Sequence, residues 1–342
     1  MKHIIGVISA EPGDPIRAGE IGKSAQVTTV VVDEDSTGQR LDNFLMRHLK
    51  GVPKTHVYRI IRSGEVRVNK GRVQADTRVQ TGDVVRLPPV RISGRVAEKA
   101  EKPAPAREFP ILFEDDHLLA IDKPAGVAVH GGSGVSFGVI EQLRRARPQA
   151  KFLELVHRLD RETSGILLIA KKRSALTNLQ AQFRDRETDK TYLALVQGAW
   201  PANKKVIDLP LHKYLLDGPP GTDGPGERRV KVVAKDDPNG MRATTLVKLA
   251  PVLPHKRHEG SLLEVTIKTG RTHQIRVHLA SQGHPIAGDD KYGDFEWNKG
   301  LQKQGLKRMF LHAWCLGFQH PAGQRVVTLR AELPPELKGW LV

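Results

Sequence analysis

Apolar residues recur at helical spacing in two short stretches near the beginning of the chain. They fall every three or four positions over residues 41–49 and again over 57–61, which is the period of one buried helix face, and a Gly-Val-Pro break separates the two stretches. Alternating apolar and polar residues at 66–68 and 79–87 follow and are typical of strands. The pattern predicts a small module over residues 37–95, with two helices and a short sheet.

A longer mixture of strand and helix patterns occupies residues 108–342. Strand patterns occur at 118–122, 166–171, 192–197, 262–268 and 310–318, and helical patterns occur at 139–145, 175–183 and 272–281. The sequence contains no internal repeat. We interpret this mixture as a single α+β domain.

Three segments lack such a pattern. Residues 1–36 are predicted to form a flexible tail that contains one short strand at 27–32. Residues 96–107 contain no aromatic residue, Leu or Ile, and they are predicted to be a linker. Residues 215–239 are rich in Gly, Pro, Asp and Lys, and this composition predicts a long exposed loop.

Composition adds a strong positive charge to this picture. The chain of 342 residues carries 54 Lys and Arg and 38 Asp and Glu, a formal net charge of +16. Residues 38–95 hold 13 of the basic residues and 4 of the acidic ones. This concentration indicates a module that contacts phosphates, so nucleic acid is the predicted partner and an anionic membrane surface is the second choice.

Other features of composition restrict the class of protein. No apolar run approaches the about 18 residues that a membrane-spanning helix needs, and the first ten residues do not resemble a signal peptide. The single cysteine, Cys315, excludes an intrachain disulfide and a metal site built from several cysteines. We therefore expect a cytoplasmic protein without a membrane partner, and a monomer by default.

Residues 157–165, H-R-L-D-R-E-T-S-G, carry the strongest chemical signal. Asp160 lies between Arg158 and Arg161, and this positive charge favours the ionised carboxylate. A Thr-Ser-Gly turn then leads into an apolar strand. The segment is either a reactive acid with guanidinium groups that hold a phosphate or a base, or a surface loop with a structural ion pair.

Three further segments place polar side chains at turns or strand ends. In residues 268–278, K-T-G-R-T-H-Q-I-R-V-H, a helix is predicted to open after the Thr-Gly-Arg turn. Its free amides, with Arg271 and Arg276, suit an anion, and an amphipathic helix with a basic face is the alternative. Residues 122–130 are either a simple β-turn or a functional loop. Tyr192 is either a core residue or a ring that stacks on a base.

Serine hydrolysis has weak support. The sequence G-V-S-F-G at 134–138 matches the nucleophile elbow of α/β-hydrolases, with Ser136 as the nucleophile. Such an elbow follows a buried strand, whereas a glycine-rich loop precedes this one. We therefore keep this class only as a minor alternative.

Metal binding and glycoside hydrolysis are also weakly supported. A metal ion would need His157 with Asp160, or His273 with His278, and the second pair is five residues apart and does not share a helix face. Asp160 and Glu162 are two residues apart, and we expect them to point in different directions, which does not suit a pair of glycosidase carboxylates. No metal is therefore expected.

Together, these segments resemble the RluA/RluC/RluD family of RNA pseudouridine synthases. The likeness rests on the catalytic motif at 157–165, the K-x-Y motif at 190–192, the motif at 268–278, and the segments 284–293 and 311–313. Residues 37–95 are similar to an S4 RNA-binding domain. Within the family, R-L-D-N-F-L at 40–45 and K-G-V-P-K at 50–54 look closest to the RluC-type members, which modify several uridines of 23S ribosomal RNA.

The resemblance implies a fold and a set of residue roles. The implied fold is a mixed, largely antiparallel β-sheet with flanking helices over residues 108–342, and no cofactor is implied. The implied catalytic residues are Asp160, Tyr192, which packs against the uracil, and Arg271, which pairs with the catalytic carboxylate. Base flipping and RNA binding are expected to involve Arg158, His157, Thr163, Ile275 and Arg276. The S4-like module is expected to bind RNA through Arg40, Lys54, Arg59, Arg62, Arg67 and Lys70.

The resemblance also implies a reaction, the isomerisation of uridine to pseudouridine in 23S ribosomal RNA or a large-subunit assembly precursor. The target nucleotide must be flipped into a pocket. Asp160 must be ionised, either to attack C1′ or to remove a proton from the sugar. A non-catalytic factor for ribosomal RNA binding or assembly is the alternative. It accounts for the charge and the module, but not for an acid set among arginines.

Overall fold

The computed structural model describes residues 26–49, 52–90, 104–131, 137–216, 227–251 and 259–341. The chain divides between residues 103 and 104 into two compact units. No helix in the described part of the chain combines the length and the apolar character that crossing a bilayer requires.

The N-terminal unit packs helices against a small antiparallel sheet. Its described elements are strands β1 Thr28–Val31, β2 Arg67–Val68 and β3 Val84–Leu87, and helices α1 Leu41–His48 and α2 Lys54–Arg62. The strand order is β1-β3-β2. Apolar faces of the helices and the sheet meet in one cluster that includes Phe44, Ile60 and Val85. Both predicted helices and the strands at β2 and β3 are confirmed.

Strand β1 changes the boundary expected for the tail. It pairs with β3 from Thr28 opposite Leu87 to Val31 opposite Val84, and Val32 is buried in the core of the module. These residues belong to the module and not to a separate tail over 1–36, because β1 supplies the hydrogen-bond partners on one edge of β3. Residues 1–25 of the expected tail lie outside the described residues.

The second unit is built on a mixed, largely antiparallel sheet. Its described strands are β4 Ile111–Glu114, β5 Leu118–Lys123, β6 Glu154–Leu155, β7 Ser164–Ala170, β8 Asp189–Gln197, β9 Val206–Asp208, β10 Leu211–Leu216, β11 Glu227–Val232, β12 Thr244–Leu249, β13 Gly260–Ile267, β14 Leu311–Gln319 and β15 Val326–Arg330. Within the described residues, ten strands form one sheet in the order β4-β5-β7-β14-β8-β13-β12-β9, with β6 beside β7 and β15 beside β14. Among these described pairs, only β7 and β14 run parallel. The expected α+β fold is confirmed.

Helices cover the sheet and explain its continuous apolar strands. The described helices are α3 Val139–Ala146, α4 Arg173–Asp185, α5 Gln274–Ser281, α6 Phe295–Lys303 and α7 Pro335–Lys338. Every residue of β7 is buried, because Leu179 of α4 packs into the cluster that contains Leu168 and Leu143 of α3 packs into the cluster that contains Leu167. A strand covered on both faces reads as an apolar run and not as an alternation.

The predicted loop at 215–239 is wrong in part. Strands β10 and β11 pair as an antiparallel hairpin from Leu211 opposite Val232 to Leu216 opposite Glu227. Val230 is buried beside Val277 of α5. The basic residues of β11 hide this short strand in the sequence, and residues 217–226, where Gly and Pro concentrate, lie outside the described residues.

Gly165 fixes the start of β7 against its parallel neighbour. It lies opposite Ala313 of β14 and has a φ of +107°, which favours glycine. A Cβ atom at this position would collide with the Ala313 backbone. The loop that precedes β7 is therefore attached to a strand that packs closely against the backbone of β14.

Candidate active site

Asp160 lines a cavity of about 460 Å³ in the second unit. Its loop, residues 157–163, joins β6 to β7, and the Thr163 amide closes the turn by donating to the Asp160 carbonyl at 3.2 Å. The Asp160 side chain is 23 % exposed. The carboxylate is thus accessible from the cavity but shielded from most of the solvent.

The structure brings together the residues predicted for catalysis and for base flipping. All of them line this cavity: His157, Arg158, Asp160, Thr163, Tyr192, Arg271, Ile275 and Arg276. Phe183, Ile267 and Leu311 add apolar wall. A concave site with apolar walls and a few convergent polar groups is the usual form of a site for a small molecule or a nucleobase.

Arg276, and not Arg271, faces the Asp160 carboxylate. Arg276 Nη1 lies 3.8 Å from Asp160 Oδ2, whereas Arg271 Nε donates to the Arg242 carbonyl at 3.2 Å. The pairing expected for Arg271 is therefore wrong. The reason is the start of α5 at Gln274, which places Arg276 inside the first helical turn while Arg271 stays on the exposed turn before it.

A buried ion pair orients Arg276. Its Nε and Nη2 donate to the two oxygens of Asp289 at 2.7 and 2.6 Å. Burial opposes the charge of Arg276, but the hydrogen bond with Asp289 prevails and raises its pKa. Burial likewise acts against the Asp289 carboxylate, but Arg276 and two backbone amides keep its pKa low. Both groups remain charged, and the third guanidinium nitrogen is left to face Asp160.

His273 approaches Asp160 from the turn before α5. Its Nε2 lies 3.9 Å from Asp160 Oδ2, and its Nδ1 lies 2.8 Å from the Tyr292 hydroxyl. The backbone of His273 is left-handed, with a φ of +52°. Burial lowers the pKa of His273 although the Asp160 charge opposes this effect, so the imidazole is neutral at pH 7.

Tyr192 presents an uncharged ring to the cavity. It lies on β8, opposite Val265 of β13 and Ala313 of β14, in the middle of the sheet. Burial, and then the nearby Asp160 charge, raise the pKa of its hydroxyl. The phenol is therefore protonated at any physiological pH.

His157 forms part of the wall of the cavity. Its ring stacks on Phe183, with centroids 4.6 Å apart, and its Nε2 accepts a hydrogen bond from the Leu168 amide at 3.1 Å. Burial lowers its pKa to about 4. That ring nitrogen is therefore engaged by the backbone of β7.

The two arginines that flank Asp160 in the sequence do not hold it. Arg161 Nε donates to Glu162 at 2.7 Å, and Arg158 is exposed at the cavity. Side chains of neighbouring loop residues point in different directions, so adjacency in the sequence did not produce the expected contact. Arg158 is left available for a ligand.

The geometry of the described residues does not favour the pair His273 and His278 as a metal site. The second pair proposed for a metal is engaged elsewhere, because His278 contacts the Thr245 hydroxyl at 2.8 Å and the Leu209 carbonyl at 3.0 Å. No group of three or more His, Cys, Asp or Glu among the described residues is arranged to hold a metal ion. Ser136 lies outside the described residues.

Lys123 supports the Asp160 loop from the interior. The side chain is fully buried, and its Nζ donates to the carbonyls of Pro124 and Val127 at 2.8 Å and of Arg161 at 3.1 Å. Burial, with a contribution from Arg308, lowers its pKa to about 7. The segment 122–130 therefore supports the Asp160 loop. Its sequence alone was equally consistent with a simple β-turn.

A second buried group holds the other end of the loop. The Ser164 hydroxyl lies 2.8 Å from His312 Nδ1 and accepts from Arg308 Nη2 at 2.6 Å. His312 Nε2 donates to the Ala331 carbonyl at 3.0 Å. Burial lowers the pKa of His312 to about 4, so this imidazole is neutral and its role is structural.

The basic residues predicted for RNA binding in the N-terminal module are of two kinds. Lys54, Arg59 and Arg62 lie exposed on the face of α2 opposite its buried residues. Lys70 is also exposed, and its carbonyl accepts from Arg67 Nη1 at 3.2 Å. Arg40 differs, because its guanidinium is held by Asp42 at 3.2 and 2.7 Å.

Sequence reasoning missed the residues that support Asp160 from behind. His273 stood in a recognised motif but was considered only as a metal ligand, and Asp289 and Tyr292 stood in a segment that contributed only to the family likeness. The sequence shows only that polar residues, Asp289 and Tyr292 among them, follow the Ile-Ala pair at 286–287, which is buried in the structure. That pattern does not specify that they fold back onto α5.

Known protein families and proteins match this chain over most of its length. Residues 117–281 match the family model described as RNA pseudouridylate synthase, and residues 39–85 match the S4 domain. The Ribosomal large subunit pseudouridine synthase C of Haemophilus influenzae is 49% identical over 333 residues, which cover 93% of this chain and 95% of that protein. The protein of the same name from Yersinia pestis is 49% identical over 328 residues and covers 92% and 95%.

A solved structure shows the same architecture. The protein titled Human RNA Pseudouridylate Synthase Domain Containing 4 superposes with a TM-score of 0.52 at 27% identity. The match covers 67% of this chain and 90% of that one. The residues matched by the family model, 117–281, include Asp160, Tyr192 and the segment 268–278.

Proposed function

This chain belongs to the RNA pseudouridine synthase family, and on that premise we propose that it converts specific uridines of 23S ribosomal RNA to pseudouridine. The observation that supports this proposal most strongly is the Asp160 carboxylate, which faces Arg276 and His273 in a cavity beside the Tyr192 ring. The names of the most similar curated relatives support the large ribosomal subunit as the source of the RNA.

The reaction exchanges one bond for another. The bond between N1 of uracil and C1′ of ribose breaks, the base turns, and a bond forms between C5 and C1′. The proton of C5 is lost and N1 gains one, so there is no net change in composition or oxidation state. Ionised Asp160 either attacks C1′ or takes a proton from the sugar, and the guanidinium of Arg276 favours the ionised carboxylate in both routes.

The walls of the cavity suit a flipped uracil. Tyr192 supplies an uncharged aromatic face, and Ile275 and Leu311 supply apolar contact. Flipping a nucleotide out of folded RNA costs a few kcal/mol, because stacking and pairing are disrupted. In our proposal Arg158 occupies the vacated position and contacts a phosphate, while Thr163 and His157 hold the shape of the loop.

The rim of the cavity suits the RNA backbone. Besides Arg158 it carries Arg184, Arg186, Lys190, Lys268 and Arg271. Such a cluster of cations binds phosphates through charge, largely independent of base sequence. The exposed cations of α2 add a second basic surface in the S4 module. The proposed partner is therefore ribosomal RNA, and the proposed acting species is a cytoplasmic monomer.

The experiment is to incubate the purified full chain with an unmodified 23S transcript and to map pseudouridine by carbodiimide-blocked primer extension. We expect new stops at a few uridines with the wild-type chain and none with Asp160→Asn. If the wild-type chain binds the transcript but produces no stop on either 23S RNA or a large-subunit precursor, the enzymatic proposal is wrong. The chain would then be a binding or assembly factor.

A further inference from the structure

A series of contacts connects the hairpin strand β11 to the carboxylate of Asp160. The Val230 amide donates to the Tyr292 hydroxyl at 3.0 Å. That hydroxyl lies 2.8 Å from His273 Nδ1. On the other side of the imidazole, Nε2 lies 3.9 Å from Asp160 Oδ2. A backbone group of one element thus reaches the reacting acid through two side chains.

The hydrogens in this series can be assigned from the partners that each group has. Among the described residues the Tyr292 hydroxyl has two partners, the Val230 amide, which can only donate, and His273 Nδ1, which is left as the acceptor of the phenol hydrogen. Burial raises the pKa of Tyr292 and lowers the pKa of His273, so both groups are neutral. A neutral imidazole that accepts at Nδ1 carries its hydrogen on Nε2, the nitrogen that faces Asp160.

His273 and Arg276 approach the same oxygen of the carboxylate. Their closest contacts are to Oδ2, at 3.9 and 3.8 Å, and among the described residues no hydrogen bond is donated to either oxygen of this carboxylate. Contacts of catalytic groups are often long in a free enzyme and shorten when the substrate binds. On substrate binding, both groups would therefore converge on Oδ2 of the carboxylate.

We propose that Tyr292, acting through His273, is a positioning residue that orients the Asp160 carboxylate through its Oδ2 oxygen. This inference rests on the proposed function. It assigns to His273 one fixed tautomer and to the Tyr292 hydroxyl the task of fixing it. The ring of Tyr292 has a separate role, because it packs 5.2 Å from the Arg276 guanidinium.

The test compares single-turnover rates and RNA affinities of four variants. Tyr292→Phe removes the hydroxyl and keeps the ring, so we expect the rate at saturating enzyme to fall about 10-fold, as for the removal of one hydrogen bond, with unchanged RNA affinity. His273→Ala is expected to fall at least as far, and His273→Gln, whose amide nitrogen can replace Nε2–H, to recover most of the rate. The double variant Tyr292→Phe/His273→Ala is expected to be no slower than His273→Ala, since Tyr292 acts through His273.

Tyr214→Phe is the matched control, because Tyr214 lies on the hairpin, where its ring contacts Lys231, but is not part of the series of contacts. The single-turnover rate of this variant is expected to equal that of the wild-type chain. Fully additive effects of Tyr292→Phe and His273→Ala would overturn the inference. So would a Tyr292→Phe variant that loses RNA affinity but keeps the single-turnover rate, because that result would assign the hydroxyl to binding.

An activity-independent readout separates this inference from the proposed function. In ¹⁵N-histidine spectra of the full chain, the signal that His273→Gln removes is expected to show the Nε2–H tautomer, and Tyr292→Phe is expected to lose that fixed tautomer. An Nδ1–H tautomer in the wild-type chain would overturn the inference even if the enzyme is active. Absence of pseudouridine with the expected tautomer would overturn only the proposed function.

Discussion

The two units of this chain contain the same tripeptide, Arg-Leu-Asp, at residues 40–42 and at 158–160. In the module, Asp42 accepts two bonds from Arg40, one from the Asn43 amide and one from the Tyr58 hydroxyl. In the catalytic unit, Arg158 is exposed and Asp160 instead faces Arg276 and His273 at 3.8 and 3.9 Å. Identical neighbours in the sequence therefore give one saturated carboxylate and one that is open to a ligand.

The difference comes from the backbone and not from the residue types. Residues 40–42 begin helix α1, and this turn of backbone brings the Arg40 guanidinium onto the buried carboxylate of Asp42. The hydrogen bond from Arg40, despite the opposing effect of burial, lowers the pKa of Asp42. Residues 158–160 lie in a loop, which separates the two side chains. The Asp42 carboxylate is thus filled by donors from its own module, whereas the Asp160 carboxylate accepts no hydrogen bond from the described residues and is open to the cavity.

The largest effect that sharpens this comparison is on turnover. Asp160→Asn removes the charge from the open carboxylate, and we expect the single-turnover rate to fall by at least about 10³-fold while RNA affinity is retained. Pseudouridine formation and RNA binding are measured on the same preparation.

Asp42→Asn is the control for that prediction. It is expected to leave the single-turnover rate at saturating enzyme unchanged and to destabilise the module by about 1–3 kcal/mol, because charge-assisted hydrogen bonds are removed. Substantial turnover by Asp160→Asn, or abolished turnover by Asp42→Asn, would break the distinction between the two carboxylates.

The arginines Arg276 and Arg40 are expected to contribute differently to the stability of their units. Arg276→Gln leaves the buried Asp289 without its bidentate partner, and we expect the free energy of unfolding of the catalytic unit to fall by about 3–5 kcal/mol. Arg40→Gln affects a surface guanidinium and is expected to have a much smaller effect. Urea unfolding of both variants checks this prediction, and equal decreases would contradict it.

Much of the fold followed from apolar periodicity. The helices at 139–146 and 173–185 and the strands at 118–123 and 164–170 have long apolar patterns, and the structure confirms them. Strand β11 was missed because its residues are mostly charged and its buried contact is made by a single valine, Val230. Short edge strands bury too few side chains to leave a periodic signal.

For the site, sequence reasoning found the residues that line the cavity but not how they pair. Asp160 and Tyr192 stand in distinctive motifs. The choice of Arg276 over Arg271 depends on where helix α5 begins, and that start is set by the side-chain contacts of Gln274 with Thr269 and the Arg271 amide. Such contacts join groups that are brought together only by folding.

Acid should affect the two units at different pH values. The pKa values of His157 and His312 are lowered by burial to about 4, from an ordinary value of 6.5. Between these values the unfolded chain binds protons that the native catalytic unit does not, so its stability falls as the pH falls from 6.5 to 4, by about 3 kcal/mol for each histidine.

The module is expected to lose stability at a lower pH than the catalytic unit does. The folded pKa of Asp42 lies below its ordinary value of 3.8, so its stabilising contribution is present above that value and is lost as the pH falls through the folded pKa. Urea unfolding at pH 7, 5 and 4, with tryptophan fluorescence for the catalytic unit, measures the first effect. His312→Gln is expected to reduce the slope, and a slope that is unchanged in this variant would contradict the assignment.

The smallest effects concern the basic face of α2. Replacing Lys54, Arg59 or Arg62 by Ala is expected to weaken RNA binding a few-fold and to reduce the slope of log affinity against log salt by about one for each phosphate that is no longer neutralised. Arg40→Ala is expected to change the slope less, because Asp42 already occupies its guanidinium. Titrations at several salt concentrations measure the slopes, and an equal change for Arg40 would show that its ion pair opens on RNA.

The amide of Gln274 determines which residue types this turn accepts. Its Oε1 accepts from the Thr269 hydroxyl and the Arg271 amide, and its Nε2 donates to the Thr244 carbonyl and the Thr245 hydroxyl. A glutamate has the same length, but its second oxygen would repel the Thr244 carbonyl inside the protein. The neutral amide of Gln274, with one accepting and one donating end, thus sets the direction of the first turn of α5. Gln274→Glu keeps the size of the side chain but adds a charge, and it would displace Arg276 and His273 although neither of these residues is changed.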